Sequence, residues 1–313
     1  MSSFQLQIMV ASSFVVAVLG VFWLYARLLV LLAWRKLTGK DRLQRRWLDG
    51  RFGRWIVFVL GTIGVLCFLW GWLLEPYRID VTRHQVETHL IPTGKSVKLV
   101  HLSDLHIDDY GWREIQLPEM VNAEKPDLVV MTGDYLNNSS AEAENALREV
   151  VRNIKAPVFA VRGNWDTRHW SRAMPILESE GAQLMMAHNT QFEKDGTSIR
   201  LIGDYGFTGT PSDPKQWLFR VYLTHTPDVI EQVAGRVHLY LCGHTHGGQV
   251  RLPFFGALIT LSERWKQYEM GRYEVDGTTM YVHRGFGMEG GLPPRVRFMA
   301  PPEIAVFDIV GGP

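Results

Sequence analysis

The chain is poor in cysteine, with only Cys67 and Cys242 among its 313 residues. Two cysteines, one of them inside an apolar run, exclude a disulfide framework. An excess of one charge is also lacking, because 33 Lys and Arg residues nearly balance 32 Asp and Glu residues. Nothing therefore marks the whole chain as a nucleic-acid-binding protein, and no nucleic-acid partner is expected. Internal repeats and low-complexity segments are absent from the sequence as well.

Charged residues are missing from two long stretches in the first quarter of the chain. Ile8 to Ala26 comprises 19 uncharged residues and Trp55 to Leu74 comprises 20. At about 1.5 Å of rise per residue, a helix of either length could cross a hydrocarbon core of roughly 30 Å. We therefore predict a membrane anchor over residues 1–75, with helices at about 8–33 and 55–74. A cleaved signal peptide is the alternative for the first run, but residues 1–7 lack the basic start typical of such peptides.

The segment between the two apolar runs is strongly basic. Residues 35–54 contain eight Lys and Arg residues and two Asp residues, which leaves a net charge of +6. Basic connections stay on the cytoplasmic side of a membrane, so we predict a cytoplasmic loop here and an extracytoplasmic domain after Leu74. This orientation fails if only the first run crosses the membrane. A solvated loop or a surface attracted to anionic lipid is the alternative for the basic segment, and both are compatible with a cytoplasmic position.

The remaining sequence predicts an α/β domain. Residues 76–96 form a connector with room for one edge strand, and the domain itself extends over 97–313. Short β-prone runs alternate with predicted helices at 112–123 and 141–154, and β-prone pieces at 279–282 and 304–309 indicate a second, stacked sheet. Five of the runs end in polar residues, and ligand sites in open α/β sheets form just beyond the carboxyl ends of strands.

These five polar blocks supply oxygen and imidazole groups of the kind that bind metal ions. They are Asp104-Leu105-His106, Gly133-Asp134, Gly163-Asn164-Trp165-Asp166, Thr224-His225-Thr226-Pro227 and Gly243-His244-Thr245-His246. Each block alone is weak evidence, since Gly-Asp is usually a turn and a single Asp-x-His is more often a surface feature. Their order and their common place after strands argue that they converge on one site.

With these blocks, the chain resembles the calcineurin-like metallophosphoesterase superfamily over about residues 97–309. Two further segments, Gly243 to Pro253 and Arg284 to Gly287, resemble its membrane-anchored bacterial branch. The resemblance implies a four-layer α/β/β/α sandwich, here preceded by a two-helix transmembrane hairpin. It also implies a dinuclear hydrolase with two divalent or trivalent ions, and imidazole ligands favour Mn, Zn or Fe over Ca.

The resemblance further implies which residues hold the ions, with the Asp134 carboxylate shared between them. The first ion would be held by Asp104, His106, Asp134 and His246. The second ion would be held by Asp134, Asn164, His225 and His244. The residues expected to serve catalysis are Asp134, Asn164, Asp166 and His225. Arg251 and Arg284 are expected to bind substrate phosphate, because a guanidinium group matches two oxygens at once; alternatively, these arginines only cover a sheet edge.

Trp165 departs from the superfamily pattern, which commonly has His after the Gly-Asn pair. The indole N–H of tryptophan donates a hydrogen bond but does not titrate, so Trp165 cannot protonate a leaving group. Three interpretations follow. The leaving group is acidic enough to depart unprotonated, as in a pyrophosphate; another imidazole, His169, His188 or His84, supplies the proton; or the domain mainly binds its ligand.

The sequence therefore favours a metal-dependent hydrolase, using metal-activated hydroxide on phosphoester or pyrophosphate bonds of a membrane lipid or lipid-linked substrate. It would be a multi-pass protein of the bacterial cytoplasmic membrane with its catalytic domain outside. A UDP-2,3-diacylglucosamine hydrolase of lipid A synthesis is one alternative, although that substrate lies on the cytoplasmic side. A weakly active or non-catalytic phosphate-binding sensor is the other.

Overall fold

The computed structural model describes residues 2–39, 50–169, 171–186, 188–203, 217–289 and 295–312. Most of the predicted basic loop, residues 40–49, lies outside the described residues. Two long helices come first and four shorter ones follow. Their bounds are α1 Ser3–Thr38, α2 Arg51–Leu73, α3 Trp112–Ala123, α4 Ala141–Asn153, α5 Ala173–Ser179 and α6 Ile230–Val233.

Two six-stranded mixed sheets form the body of the domain. The first contains, in spatial order, β1 Asp80–Thr88, β14 Glu303–Gly311, β2 Ser96–Leu102, β3 Leu128–Met131, β4 Val158–Ala160 and β5 Gln183–Leu184. The second contains β12 Gly271–Val275, β13 Thr278–Val282, β9 Leu239–Cys242, β8 Phe219–Leu223, β7 Thr197–Gly203 and β6 Asn189–Lys194. A separate two-stranded hairpin consists of β10 Arg251–Leu252 and β11 Gly256–Ala257.

The two sheets pack face to face, with helices on the outside. Buried side chains between the sheets include Leu99 and Val130 from the first and Leu201 and Val221 from the second. Helices α3, α4 and α5 cover the outer face of the first sheet. The four-layer α/β/β/α prediction is confirmed, although α6 and neighbouring loop side chains form a thin fourth layer over the second sheet.

Strand β1 occurs where one edge strand was predicted within residues 76–96. All nine residues of β1 pair in parallel with β14, from Asp80 beside Glu303 to Thr88 beside Gly311. Strand β14 in turn pairs antiparallel with β2. The segment that follows α2 is therefore hydrogen-bonded into the first sheet, so α2 and the sheet are joined by only a short stretch of chain.

Helices α1 and α2 pack against each other through small residues on α2. A Cβ atom added at Gly61 would lie 2.3 Å from the ring of Tyr25, so only glycine allows the two helices to approach this closely. The Tyr25 hydroxyl also lies 3.2 Å from the Thr62 hydroxyl, and the rings of Tyr25 and Phe58 are 5.9 Å apart. The result is an antiparallel helical pair.

Both helices are long and apolar enough to cross a membrane by length and composition. In the most apolar windows of α1 and α2, only 6% and 17% of the residues are buried. A core helix of a soluble protein would bury most of such a window, so the exposure argues against that alternative. Membrane insertion would cover this apolar surface.

The end of α2 is docked onto the domain by polar contacts. The backbone carbonyl of Gly71 accepts from the N–H of Arg297 at 2.9 Å. The Glu75 carboxylate is buried, where it accepts from the Ala300 N–H at 2.7 Å and from the Trp70 indole at 2.7 Å. These bonds fix the helical pair against the loop between residues 295 and 302.

Candidate metal centre

The polar blocks lie where the sequence predicted them, at the carboxyl ends of strands from both sheets. Strands β2, β3 and β4 of the first sheet lead into Asp104, Asp134 and Asn164, respectively. Strands β8 and β9 of the second sheet lead into His225 and His244. Stacking the sheets brings these ends together. We call the following residues the seven candidate ligands: Asp104, His106, Asp134, Asn164, His225, His244 and His246.

The backbone is strained at this edge of the sheets. Five of the seven candidate ligands have left-handed φ values: Asp104 (51°), His106 (42°), Asp134 (58°), His244 (72°) and His246 (51°). Such conformations cost a non-glycine residue on the order of 1 to 3 kcal/mol and concentrate at functional sites. The left-handed backbone at these positions directs the ligand side chains toward the same space between the strand ends.

Two glycines of the motifs are required by close approach of the backbone. A Cβ atom at Gly163 would lie 2.2 Å from Oδ1 of Asp134, and one at Gly243 would lie 2.1 Å from Oδ2 of Asp104. Any side chain at either position would displace a candidate ligand. The glycines that mark these blocks in the sequence are therefore part of the geometry of the site.

The first cluster of ligand atoms is buried. Asp104, His106 and His246 bring one nitrogen or oxygen each to within 4.8 Å of one another. The Nε2 atom of His246 lies 3.3 Å from Oδ1 of Asp104 and 3.2 Å from Nε2 of His106. The Oδ2 atom of Asp134 lies 3.7 Å from Nε2 of His106. Asp104, His106 and His246 could hold one ion, and Asp134 borders this cluster through its approach to His106.

The second cluster shares the same carboxylate and is more open. The Oδ2 atom of Asp134 lies 3.2 Å from Nε2 of His225. The Asn164 amide oxygen lies 2.9 Å from that nitrogen and 3.0 Å from Nδ1 of His244. Asn164 is exposed and His244 is half-buried, so this cluster faces solvent. One Asp134 oxygen thus stands between two ligand sets, as a bridging carboxylate would.

Three imidazoles each donate a hydrogen bond from the ring nitrogen that points away from the clusters. These bonds determine which nitrogen of each ring faces the other ligand atoms. The Nδ1–H of His225 donates to the Thr132 carbonyl at 2.7 Å, and the Nε2–H of His244 donates to the Leu261 carbonyl at 3.3 Å. The Nδ1–H of His106 donates to the amide oxygen of Asn137 at 2.8 Å. Such outer partners leave the inward nitrogen with a lone pair and set the ring orientation of metal-binding histidines.

The charge of the site also suits cations. Burial alone would lower the pKa of His225, but the charges of Asp134 and Asp104 overcome it and raise the pKa to about 10. In the first cluster, burial lowers the pKa of His106 to about 4, which favours the neutral, ligating imidazole. Surplus negative charge at the bridging carboxylate is what two ions would neutralise. The donor set and its electrostatics therefore fit a dinuclear centre.

Comparison with known proteins agrees with this geometry. Residues 97–248 match the calcineurin-like phosphoesterase family. The chain is 33% identical over 287 residues to the uncharacterized metallophosphoesterase YkuE of Bacillus subtilis, which covers 86% of this chain and 98% of the relative. The chain belongs to the calcineurin-like phosphoesterase family. The family resemblance inferred from the motifs is confirmed, and with it an enzyme that uses two metal ions.

Two further relatives carry names that describe activities. The phosphodiesterase YaeI of Escherichia coli is 30% identical over 256 residues, covering 75% of this chain and 90% of the relative. The UDP-2,3-diacylglucosamine pyrophosphatase LpxG of Chlamydia muridarum is 25% identical over 317 residues, covering 78% of this chain and 93% of the relative. These are similarities, and the substrate of this phosphoesterase is considered below.

Asp166, expected to serve catalysis, is buried below the ligands. Its carboxylate accepts from the backbone N–H groups of Asp134 at 2.7 Å, Gly163 at 2.8 Å and Tyr135 at 3.1 Å. Burial, together with the charge of Asp134, raises the pKa of Asp166 to about 6. Because both oxygens are bonded to the two ligand loops, Asp166 positions these loops, and its expected catalytic role remains a prediction.

Trp165 lies between the first cluster and a second carboxylate. Its backbone N–H donates to Oδ1 of Asp134 at 2.8 Å, and its ring meets the ring of His106 edge to face at 5.2 Å. The indole N–H donates to Glu289 at 3.3 Å, and the guanidinium carbon of Arg168 lies 3.7 Å from the ring centre. Trp165 therefore occupies the wall of this phosphoesterase site without offering an exchangeable acid.

The three substitute imidazoles differ in position. His84 is half-buried on β1, where its ring lies 4.5 Å from that of Tyr281 and stacks on that of Phe307 at 5.1 Å. His169 and His188 are exposed. In the described part of the chain, none of these three imidazoles is hydrogen-bonded to a candidate ligand. The geometry therefore gives no support to a replacement acid at the site.

The two arginines expected to bind substrate are paired with carboxylates. Arg251 lies 2.8 Å from Glu269, and Arg284 lies 3.1 Å from Glu303 and 3.4 Å from Asp80. Arg284 also lines a groove of about 650 Å³ beside α2, away from the ligand atoms. Both guanidinium groups thus have structural partners, and substrate binding by either remains a prediction.

The supporting roles of several residues around the site were not identified from the sequence. Asn137 orients His106, and the carbonyl of Leu261 orients His244. Arg297 is fully buried and donates to the carbonyls of Arg284, Gly285, Gly287 and Ala300, which holds the loop next to His246. Their roles depend on tertiary contacts across many residues of sequence. No local pattern could have revealed them.

Proposed function

We propose that this phosphoesterase hydrolyses phosphoester or pyrophosphate bonds in a membrane lipid or a lipid-linked substrate. The seven candidate ligands would hold the two ions in the sets described above, with Asp134 between them. When bound, two ions supply Lewis acidity and lower the pKa of the attacking water. The chain would be anchored in the bacterial cytoplasmic membrane by α1 and α2, with the domain outside the cytoplasm.

The observation that carries the proposal is the docking of both apolar helices beside the metal centre. Near its start, α1 places Gln7 against residues 260–262, next to His244, and α2 ends against residues 297–300. If the two helices cross a membrane, these contacts would keep the ligand atoms close to its surface. A substrate in the bilayer would then be within reach.

An exposed aromatic hairpin supports the same substrate class. The turn between β10 and β11 carries Phe254 and Phe255, and the Phe254 side chain is fully exposed. The base of this hairpin is linked to α2 through residues 297 and 298, because the Arg251 N–H donates to the Phe298 carbonyl and the Arg297 N–H donates to the Gly71 carbonyl. Exposed aromatic side chains beside an apolar helix are typical of surfaces that enter the lipid interface.

Trp165 favours a leaving group that needs no proton. General acid catalysis typically contributes on the order of 10² to 10⁴ in rate, so an alkyl phosphate would be a poor substrate without it. A pyrophosphate releases an acidic phosphate. The Chlamydia relative is named as a UDP-2,3-diacylglucosamine pyrophosphatase, which makes that activity the second candidate. It requires the site on the cytoplasmic side, contrary to the orientation that the basic loop predicts.

The first experiment tests hydrolysis itself. Full-length protein in detergent, loaded with Mn²⁺ or Zn²⁺, should hydrolyse an aryl phosphodiester, and Asp134→Ala and His244→Ala should abolish this activity. Glu193→Ala and His89→Ala alter exposed residues and should behave as the parent protein. If two ions bind but no substrate is cleaved, the chain is a phosphate-binding sensor and the hydrolase proposal is wrong.

The second experiment tests the substrate class. Metal-loaded protein is incubated with a bacterial lipid extract and with a series of soluble diesters of graded leaving-group acidity. The proposal requires a phosphorylated lipid to disappear, and it requires the rate to fall steeply as the leaving-group pKa rises. A flat profile would show that another residue protonates the leaving group, and the proposal of an acidic leaving group would then be wrong.

A further inference from the structure

Gln7 lies near the start of α1, just before its long apolar run, and its side chain is completely buried against the domain. Its Oε1 atom accepts from the backbone N–H groups of Thr260 at 3.0 Å and Leu261 at 3.2 Å. Its Nε2 group donates to the Ser262 carbonyl at 2.8 Å. One side chain of the first helix therefore bonds three successive residues of a loop more than 250 positions away.

This loop is the outer support of a candidate ligand. The carbonyl of Leu261 accepts the Nε2–H of His244 at 3.3 Å, which leaves Nδ1 of His244 directed at Asn164 and His225. Leu261 itself has a left-handed φ of 58°, a conformation that a leucine keeps only when its surroundings impose it. Gln7 binds the backbone N–H of Leu261 and the carbonyl of Ser262, the residue that follows. These two bonds impose the left-handed conformation of Leu261.

The segment that follows His225, a candidate ligand of the second cluster, also binds this loop. The Ser262 hydroxyl donates to Asp228 at 2.5 Å, and Asp228 follows His225 by three residues. Ile259, Thr260 and Leu261 line a small cavity of about 40 Å³ together with His244 and His246. The loop is thus a wall of the site, supported on one side by the segment after His225 and on the other by α1.

We propose that Gln7 is a positioning residue of the metal centre: through residues 260–262 it fixes His244, so that α1 sets the affinity of the second ion. The inference rests on the ligand assignment proposed above. Outer partners of metal-binding histidines typically change metal affinity by 10- to 100-fold when removed. The first ion, held by the buried cluster on the other side of Asp134, should not depend on Gln7.

The test measures metal binding rather than turnover. Full-length protein in detergent is stripped of metal, and Zn²⁺ affinity is measured by competition with a chromophoric chelator. Gln7→Leu keeps the bulk of the side chain but removes its hydrogen bonds, and it should weaken one of the two sites by about 10- to 100-fold. Gln7→Glu keeps an acceptor for both N–H groups and should give an intermediate loss. Gln5→Leu, an exposed position on the same helix, should leave both affinities unchanged.

Two backgrounds identify which ion is affected. In His246→Ala, where the first cluster is incomplete, Gln7→Leu should weaken the remaining site. In His225→Ala, where the second cluster is incomplete, Gln7→Leu should have no effect. Equal weakening of both sites, or unchanged affinity with a lower unfolding temperature, would assign Gln7 a purely structural role and overturn the inference. Because no substrate is present, these results are independent of whether the lipid-phosphate proposal holds.

Discussion

At the scale of single residues, the site separates into groups that would hold ions and one position that lacks its usual acid. Each imidazole of the second cluster has an outer hydrogen-bond partner, and the Asp134 carboxylate stands between both ligand sets. Trp165 is built into the wall by its contacts with His106, Glu289 and Arg168. Replacing the tryptophan therefore changes the chemistry of the wall without removing an ion ligand.

Trp165→His should restore a proton donor at this position. We expect the rate on alkyl diesters to rise by about tenfold or more relative to aryl diesters, a part of the roughly 10² to 10⁴ that general acids contribute. The measurement is the slope of log kcat/KM against leaving-group pKa, which should become shallower. Trp165→Phe keeps an aromatic ring beside His106 and should retain the steep slope; equal slopes in both variants would contradict the prediction.

At the scale of elements, the hairpin of β10 and β11 links the glycine-rich segment after His246 to the docked end of α2. The Lys266 ammonium lies 3.8 Å from the ring of Phe255 and donates to the carbonyls of Phe255 and Ala257. These contacts stabilise the turn of the hairpin. Phe254 is left fully exposed. By contrast, the aromatic side chains of Tyr268 and Phe286 are buried in the domain.

Replacing both hairpin aromatics, as in Phe254→Asp with Phe255→Asp, should impair only reactions at a bilayer. Two carboxylates would be repelled by the lipid interface that two aromatic rings enter. We expect hydrolysis of a lipid substrate in vesicles to fall several-fold, with no change on a soluble aryl diester. Trp217→Asp is the control. This exposed residue precedes the start of β8, whereas the ligand His225 follows the other end of the same strand. Equal losses on both substrates would mean that the hairpin supports the fold instead.

At the scale of the whole molecule, the two long helices and the domain form one connected structure. Gln7 near the start of α1 and Glu75 after α2 both contact the domain, so these two ends lie on the same side of the helical pair. The opposite ends, Thr38 and Arg51, lie within the basic segment of residues 35–54. The side of the membrane on which that segment stays would therefore decide where the metal centre works.

The orientation prediction can be tested with reporters fused after Pro313. An alkaline phosphatase reporter, which needs an extracytoplasmic location, should be active, whereas a green fluorescent reporter that matures in the cytoplasm should not fluoresce. Exchanging the eight basic residues of 35–54 for Gln should weaken this bias, because Lys and Arg hold a loop on the cytoplasmic side. The reverse pattern in the parent chain would contradict the orientation and favour the UDP-2,3-diacylglucosamine alternative.

Local sequence patterns were sufficient to predict several of the helices and strands and to identify the ligand blocks. Helix α3 was predicted with the bounds observed, and the predicted helix at 141–154 exceeds α4 by one residue, since sequence periodicity is a local property. The apolar lengths of α1 and α2 were equally readable. Family motifs were sufficient to indicate two ions, because the residue types at strand ends reflect the ligands that the metals require.

The contacts between these parts became apparent from the folded structure alone. Asp166 became a positioning residue because three backbone N–H groups converge on it, and Arg284 was paired with Glu303 and Asp80 because β1 joins the first sheet. The contact of Gln7 with the loop behind His244 spans most of the chain. Such contacts arise when sheets stack and helices dock, and side-chain directions at that distance are not encoded in any local pattern.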